Sequence, residues 1–174
     1  VRTSVGFTYF MLGEDEKAVS SESGLAPFPR MLALVSLGRI ADALAGYREA
    51  VDRVDGVGQL LCRTQIAALE GNREQCRELL SQAREVSFRD PEGRYLLART
   101  HAFIGDEDRA LDILSGVVDT GFFCVRAFVR DPWLDPVRAN PRLAEIVRRA
   151  QALQREAAEV YAESNGERLL GPAR

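Results

Sequence analysis

Four glycines in the 174-residue chain are each followed five positions later by a small side chain: Gly13 by Ala18, Gly38 by Ala43, Gly71 by Cys76 and Gly105 by Ala110. Each pair sits between two stretches whose apolar residues recur at helical spacing. Gly38 and Gly71 lie 33 residues apart, and Gly71 and Gly105 lie 34 apart. A recurrence of that length marks a stack of helical hairpins. Gly13 and Gly38 are only 25 apart, so the first unit is expected to have a shortened second helix or a non-standard loop around Gly24 to Pro29. Such stacks are binding scaffolds, so the search for chemistry starts with low odds.

The segments between the glycines fit this reading. Val5, Phe7, Tyr9, Phe10 and Leu12 precede Gly13, and Glu14, Asp15 and Glu16 follow it, acidic residues suited to the positive end of a new helix. Ile40, Ala43, Tyr47, Ala50 and Val54 advance by threes and fours along one helical face. Asp90-Pro91 supplies an N-cap and a first-turn proline. After Gly121 the register degrades. Phe122, Phe123, Val125, Phe128 and Val129 predict a short buried helix, and Asp131-Pro132-Trp133-Leu134-Asp135-Pro136 predicts a turn. Asn140-Pro141 opens a last helix with Leu143, Ile146, Val147, Ala150, Leu153, Ala157 and Tyr161 on one face, as a terminal cap requires. A frayed tail is expected over 164–174.

Composition narrows the function. A net charge of −3 and a pI near 5.4 argue against direct nucleic-acid binding. No apolar run approaches the roughly 18–20 residues that cross a bilayer, so no membrane partner is expected. Cys62, Cys76 and Cys124 are scattered, which gives neither a metal spacing nor an even disulfide framework. A reduced, cytoplasmic setting follows as the simpler expectation. Val1 to Leu12 lacks the basic, apolar and small-residue blocks of a signal peptide. The pattern is already under way at Val1, which leads us to expect a piece cut from a longer protein.

These residues resemble tetratricopeptide repeats, in which a first helix carries a large apolar, a small and an aromatic residue, followed by a turn glycine and a second helix with packed alanines. Gly6, Tyr9, Gly13 and Ala18 match that order, as do Leu34, Gly38, Ala43, Tyr47 and Ala50. Thr64, Gly71, Cys76, Leu80 and Ala83 form a third unit, and Leu97, Ala98, Gly105, Ala110 and Leu114 a fourth. Small residues let paired helices approach, and the glycine removes a Cβ clash at the turn. The segment 121–143 is similar to the last unit of repeat regions attached to bacterial signalling proteins such as kinases, cyclases and winged-helix regulators. The resemblance implies an all-α, right-handed superhelical array of helix-turn-helix hairpins with a C-terminal capping helix. Its units would span 1–25, 26–56, 57–90 and 91–120, with a degenerate unit and the cap over 121–163.

No catalytic constellation emerges. His101, the one histidine, has no positioned partner in sequence and is read as structural or groove-lining. Cys76 occupies a small packing site, and Cys62 and Cys124 are read as half-buried hydrophobes. Glu14-Asp15-Glu16 and Asp106-Glu107-Asp108 are read as helix-start electrostatics, not a metal site. Gly56 and Gly58 lack a phosphate-loop continuation. The chain is therefore expected to be no enzyme, with no cofactor.

What remains is the inner face of the array. The family geometry implies Phe7 and Phe10 there in the first unit, Phe28, Leu32 and Val35 in the second, and Leu61, Gln65 and Ala68 in the third. Tyr95, Arg99, Ala102 and Phe103 follow in the fourth. For the apolar members, plain inter-helix packing is an equal alternative. Arg99 and Gln65 are expected to orient a partner's peptide or helix, since polar side chains at those sites have no evident packing duty. The chosen contact set is Phe28, Leu32, Leu61, Gln65, Tyr95, Arg99 and Phe103. Two further readings stand beside this protein–protein scaffold: a ligand- or partner-sensing regulatory domain of a larger bacterial signalling protein, and a self-association module forming a homodimer.

Overall fold

The computed structural model describes residues 3–21, 28–85, 90–165 and 168. Gly13, Gly38, Gly71 and Gly105 all have positive φ, from 67° to 84°, a region that a Cβ disfavours. The same two bonds close the helix at each. At Gly71, its N–H donates to the carbonyl of Ala68 at 3.1 Å, and the next N–H, of Asn72, donates to Ala67 at 2.9 Å. This is a Schellman ending, which satisfies carbonyls that a helix otherwise leaves unpaired. Gly121, with φ 94°, repeats it a fifth time where the sequence pattern fades. Ala18, Ala43, Cys76 and Ala110 are each 0% exposed. Each donates its N–H to the carbonyl four residues back, so turn and packing site form one unit.

These turns separate α1 (Thr3–Met11) from α2 (Asp15–Ser20), α3 (Phe28–Ser36) from α4 (Ile40–Val51), α5 (Gly56–Leu69) from α6 (Arg73–Glu85), and α7 (Pro91–Phe103) from α8 (Glu107–Asp119). Consecutive helices pack on one another within these pairs and between them at α2 on α3 and α4 on α5, while α7 meets the third pair through α5. Then come α9 (Val125–Arg130), a 3₁₀ helix (Pro132–Val137) and α10 (Pro141–Glu163). Among the described residues the chain is all-helical, with no strand. The shortened second helix expected of the first unit is α2, with six residues. Residues 22–27, which hold most of its expected loop, lie outside the described residues, as does the expected tail beyond Asn165 apart from Arg168.

Three helices open on an acid or amide followed by proline, and the capping bonds show why. Asp90 accepts from the N–H groups of Glu92 and Gly93, Asn140 from Arg142, and Asp131 from Trp133. In each case proline fills a first-turn position where an N–H would lack a helical partner.

The C-terminal quarter places its short helix later than the sequence pattern suggested. Helix α9 begins only at Val125, and Phe122 instead stacks on Tyr95 at 5.3 Å. Phe7, Phe10 and Met11 of α1 share one apolar cluster with Tyr95, Phe128, Leu134 and Leu143. A second cluster joins Tyr47, Leu61, Cys62, Cys76 and Leu80 to Leu97, Ile104 and Trp133. The first hairpin and the C-terminal segment thus meet across the stack. Helix α10 caps α8 and α9 with Leu143, Ile146 and Ala150 buried and Val147 and Leu153 packed beside them. Its second half leaves Ala157 exposed and Val160 56% exposed.

Candidate functional site

Arg99 sits near the middle of α7, a helix in which every residue from Tyr95 to Ala102 is buried. Its side chain is 0% exposed. Its Nε donates to Asp131 Oδ2 at 2.5 Å and its Nη2 to Oδ1 at 3.1 Å. The Tyr95 hydroxyl donates to the same carboxylate at 2.7 Å, and the Trp133 N–H donates at 2.9 Å. One carboxylate thus joins α7 to the 3₁₀ segment and caps that segment. Two-point pairing of guanidinium and carboxylate fixes orientation as well as distance.

Aromatic rings enclose this pair. Trp133 stacks on Phe103 with centroids 4.2 Å apart and planes at 16°. The Arg99 guanidinium lies 4.3 Å from the centre of Trp133 and 5.7 Å from that of Phe10. The indole is thereby held between an aromatic ring and a cation. Burial acts to lower the Arg99 pKa, but Asp131 more than offsets it and the guanidinium stays charged. Burial, with Asp131 adding to it, pushes the Tyr95 phenol well up, so it remains a donor.

The contact residues expected from the sequence divide into groups. Tyr95, Arg99 and Phe103 converge on residues 131–133. Gln65 is buried, and its Nε2 donates to Thr100 Oγ1 at 2.9 Å. Phe28 is half-buried, its ring tilted against Tyr47 at 6.2 Å. Leu32 and Leu61 are core residues, in the first and second clusters respectively. Phe7, Phe10, Val35, Ala68 and Ala102 are buried as well. The expectation that Arg99 and Gln65 have no packing duty is therefore corrected: both are enclosed, Arg99 by a charge partner and Gln65 by a neighbouring helix. Asp131 and Trp133 occupy the Arg99 guanidinium, so a second peptide reaches it only by displacing them.

Asp131, Trp133 and Tyr47 are the residues that reading the inner face by repeat position did not select. Asp131 had one signal in sequence: an acid in a turn with two prolines and the one tryptophan, with one arginine on an otherwise apolar helical face to answer it. His101 Nδ1 lies 2.8 Å from Asp106 Oδ2, spanning the α7–α8 turn. A cavity of about 160 Å³ lies where the α1–α2 turn meets α9, lined by Phe10, Gly13, Asp15, Arg126, Arg130 and Asp131 among others. Burial pushes the Asp15 carboxyl pKa up, against the opposing pull of Arg130. Among the described residues no cluster of three or more His, Cys, Asp or Glu side chains could hold a metal, and no helix is long and apolar enough to cross a membrane. Compared with family models, with curated proteins and with solved structures, the chain matches none.

Proposed function

We propose that this chain is a tetratricopeptide-like array, right-handed in its superhelix, that acts without catalysis as a protein–protein interaction scaffold. One observation supports the reading: helix α7 already holds a short peptide segment of this chain. Arg99 and Tyr95 take an acid, and Phe103 takes an aromatic two residues further on. In this chain the segment is its own Asp131-Pro132-Trp133. A partner segment with an acid and an aromatic at the same spacing fits the same chemistry, with side-chain pockets providing specificity.

Occupation in cis sets the terms of competition. A tethered segment acts at an effective concentration on the order of millimolar, so a free peptide of equal contact quality competes poorly. This favours the regulatory reading as the second one, with the chain in a larger cytoplasmic signalling protein. A partner or effector that displaces 131–137 would also move α10, which follows four residues later.

A labelled peptide with the sequence of residues 129–138 tests the reading by fluorescence anisotropy. It should bind Asp131→Asn at least tenfold more tightly than the unaltered chain, because the variant leaves Arg99 without its anion. Trp133 should become more exposed as the peptide enters. Absence of binding to both proteins, with helical content retained, contradicts the proposal.

A further inference from the structure

The cavity where the α1–α2 turn meets α9 is lined by side chains of both charges. Asp15 of α2 shares its wall with Arg126 and Arg130, which stand one turn apart on α9. The Arg130 guanidinium is anchored by its bond to the Leu12 carbonyl at 3.3 Å. It acts on the Asp15 carboxyl without closing to an ion pair with it. Asp131 also reaches this wall, but Arg99 already answers its charge. Phe10, Met11 and Pro132 supply apolar wall beside the charged groups.

Size and charge narrow what fits. The space of about 160 Å³ equals roughly five waters at about 30 Å³ each. That suits a molecule of about six non-hydrogen atoms. A lone anion drawn to the two arginines meets the Asp15 carboxylate, and a lone cation drawn to Asp15 meets the arginines. Each gains on one side and loses on the other. A molecule bearing both charges gains on both. Burial disfavours the Asp15 charge, and Arg130 offsets that only in part. An ammonium beside the carboxylate completes the compensation.

We propose that this cavity binds a small α-amino acid, its ammonium on Asp15 and its carboxylate on Arg126 and Arg130. The occupant links the α1–α2 turn to α9, and so holds the first hairpin to the C-terminal segment. Recognition here uses neither the Arg99 guanidinium nor Trp133. The site therefore stands whether or not the peptide reading does.

Amide chemical shifts of the unaltered chain, followed while L-alanine, propionate or ethylammonium is added at pH 7, test this. The three probes are alike in size, and propionate and ethylammonium each lack one of the two charges. L-Alanine should bind about tenfold more tightly than either, with shifts centred on Gly13, Asp15 and Ala127. Equal or tighter binding of propionate marks a plain anion site, and of ethylammonium a plain cation site. Either result overturns the proposal, as does the absence of shifts with L-alanine or their appearance elsewhere. Asp15→Asn and Arg126→Gln should each weaken L-alanine binding about tenfold, and unchanged binding in either overturns it too. The comparison of probes on the unaltered chain does not depend on either variant folding.

Discussion

The Asp131 carboxylate accepts four hydrogen bonds within an apolar surround. Removing it leaves a buried guanidinium without compensation. Asp131→Ala should cost about 3–5 kcal/mol in urea unfolding, and pairing Arg99→Met with Asp131→Leu should recover much of that loss. The turn glycines divide by their surroundings. No atom lies within 4 Å of where a Gly105 Cβ would be, so Gly105→Ala should cost only backbone strain, about 1–2 kcal/mol. At Gly13 the Arg130 guanidinium fills that space and donates to the Leu12 carbonyl. Arg130 is exposed and its flexible end can swing aside, so Gly13→Ala should also cost about 1–2 kcal/mol of backbone strain, with loss of the exposed bond to Leu12. Burial pushes the Cys62 and Cys76 thiols from 9.0 up to about 11. Thiols raised in this way support the folded state fully below pH 9, and that support disappears as pH rises through 11. Iodoacetamide at pH 8 should modify half-buried Cys124 well before either, and equal rates would contradict the packing described.

Among the elements, α10 separates apolar from ionic contributions. Its first half carries Leu143, Ile146 and Ala150 into the core, while Arg142 reaches Asp108 and Asp112 of α8, and Arg149 reaches Asp119. These ion pairs are well exposed, so Arg142→Ala should cost under about 1 kcal/mol. Ile146→Ala should cost about 2–5 kcal/mol in the same unfolding assay. The hairpins themselves were legible in the sequence because their causes are local. A glycine able to take positive φ, a small residue five positions on and an Asp-Pro entry each act within one turn of chain. The same locality explains what was missed. The partner of Arg99 is Asp131, 32 residues away, and Cys124 reaches the Met11 carbonyl across 113 residues. Repeat position placed Arg99 and Gln65 on the inner face, but not what covers them. It also extended the cap along all of α10, although the apolar stripe outlasts the surface that buries its first half.

At the scale of the whole molecule, the stack closes on itself. The α1–α2 turn meets α9 through Gly13 and Arg130, and Phe10 lies against the guanidinium that Asp131 holds from the other end of the chain. A repeat stack stabilised only by neighbour contacts would let its ends move independently. Closure ties the first and last units together, so the ends should unfold in one transition with the middle. The most direct test of that closure uses Trp133, the single tryptophan of the chain and 2% exposed. Blue-shifted emission and strong protection from acrylamide are expected, with both lost together when Asp131→Ala releases the segment. Emission typical of water and free quenching in the unaltered, folded chain would show that residues 131–137 do not pack over Arg99.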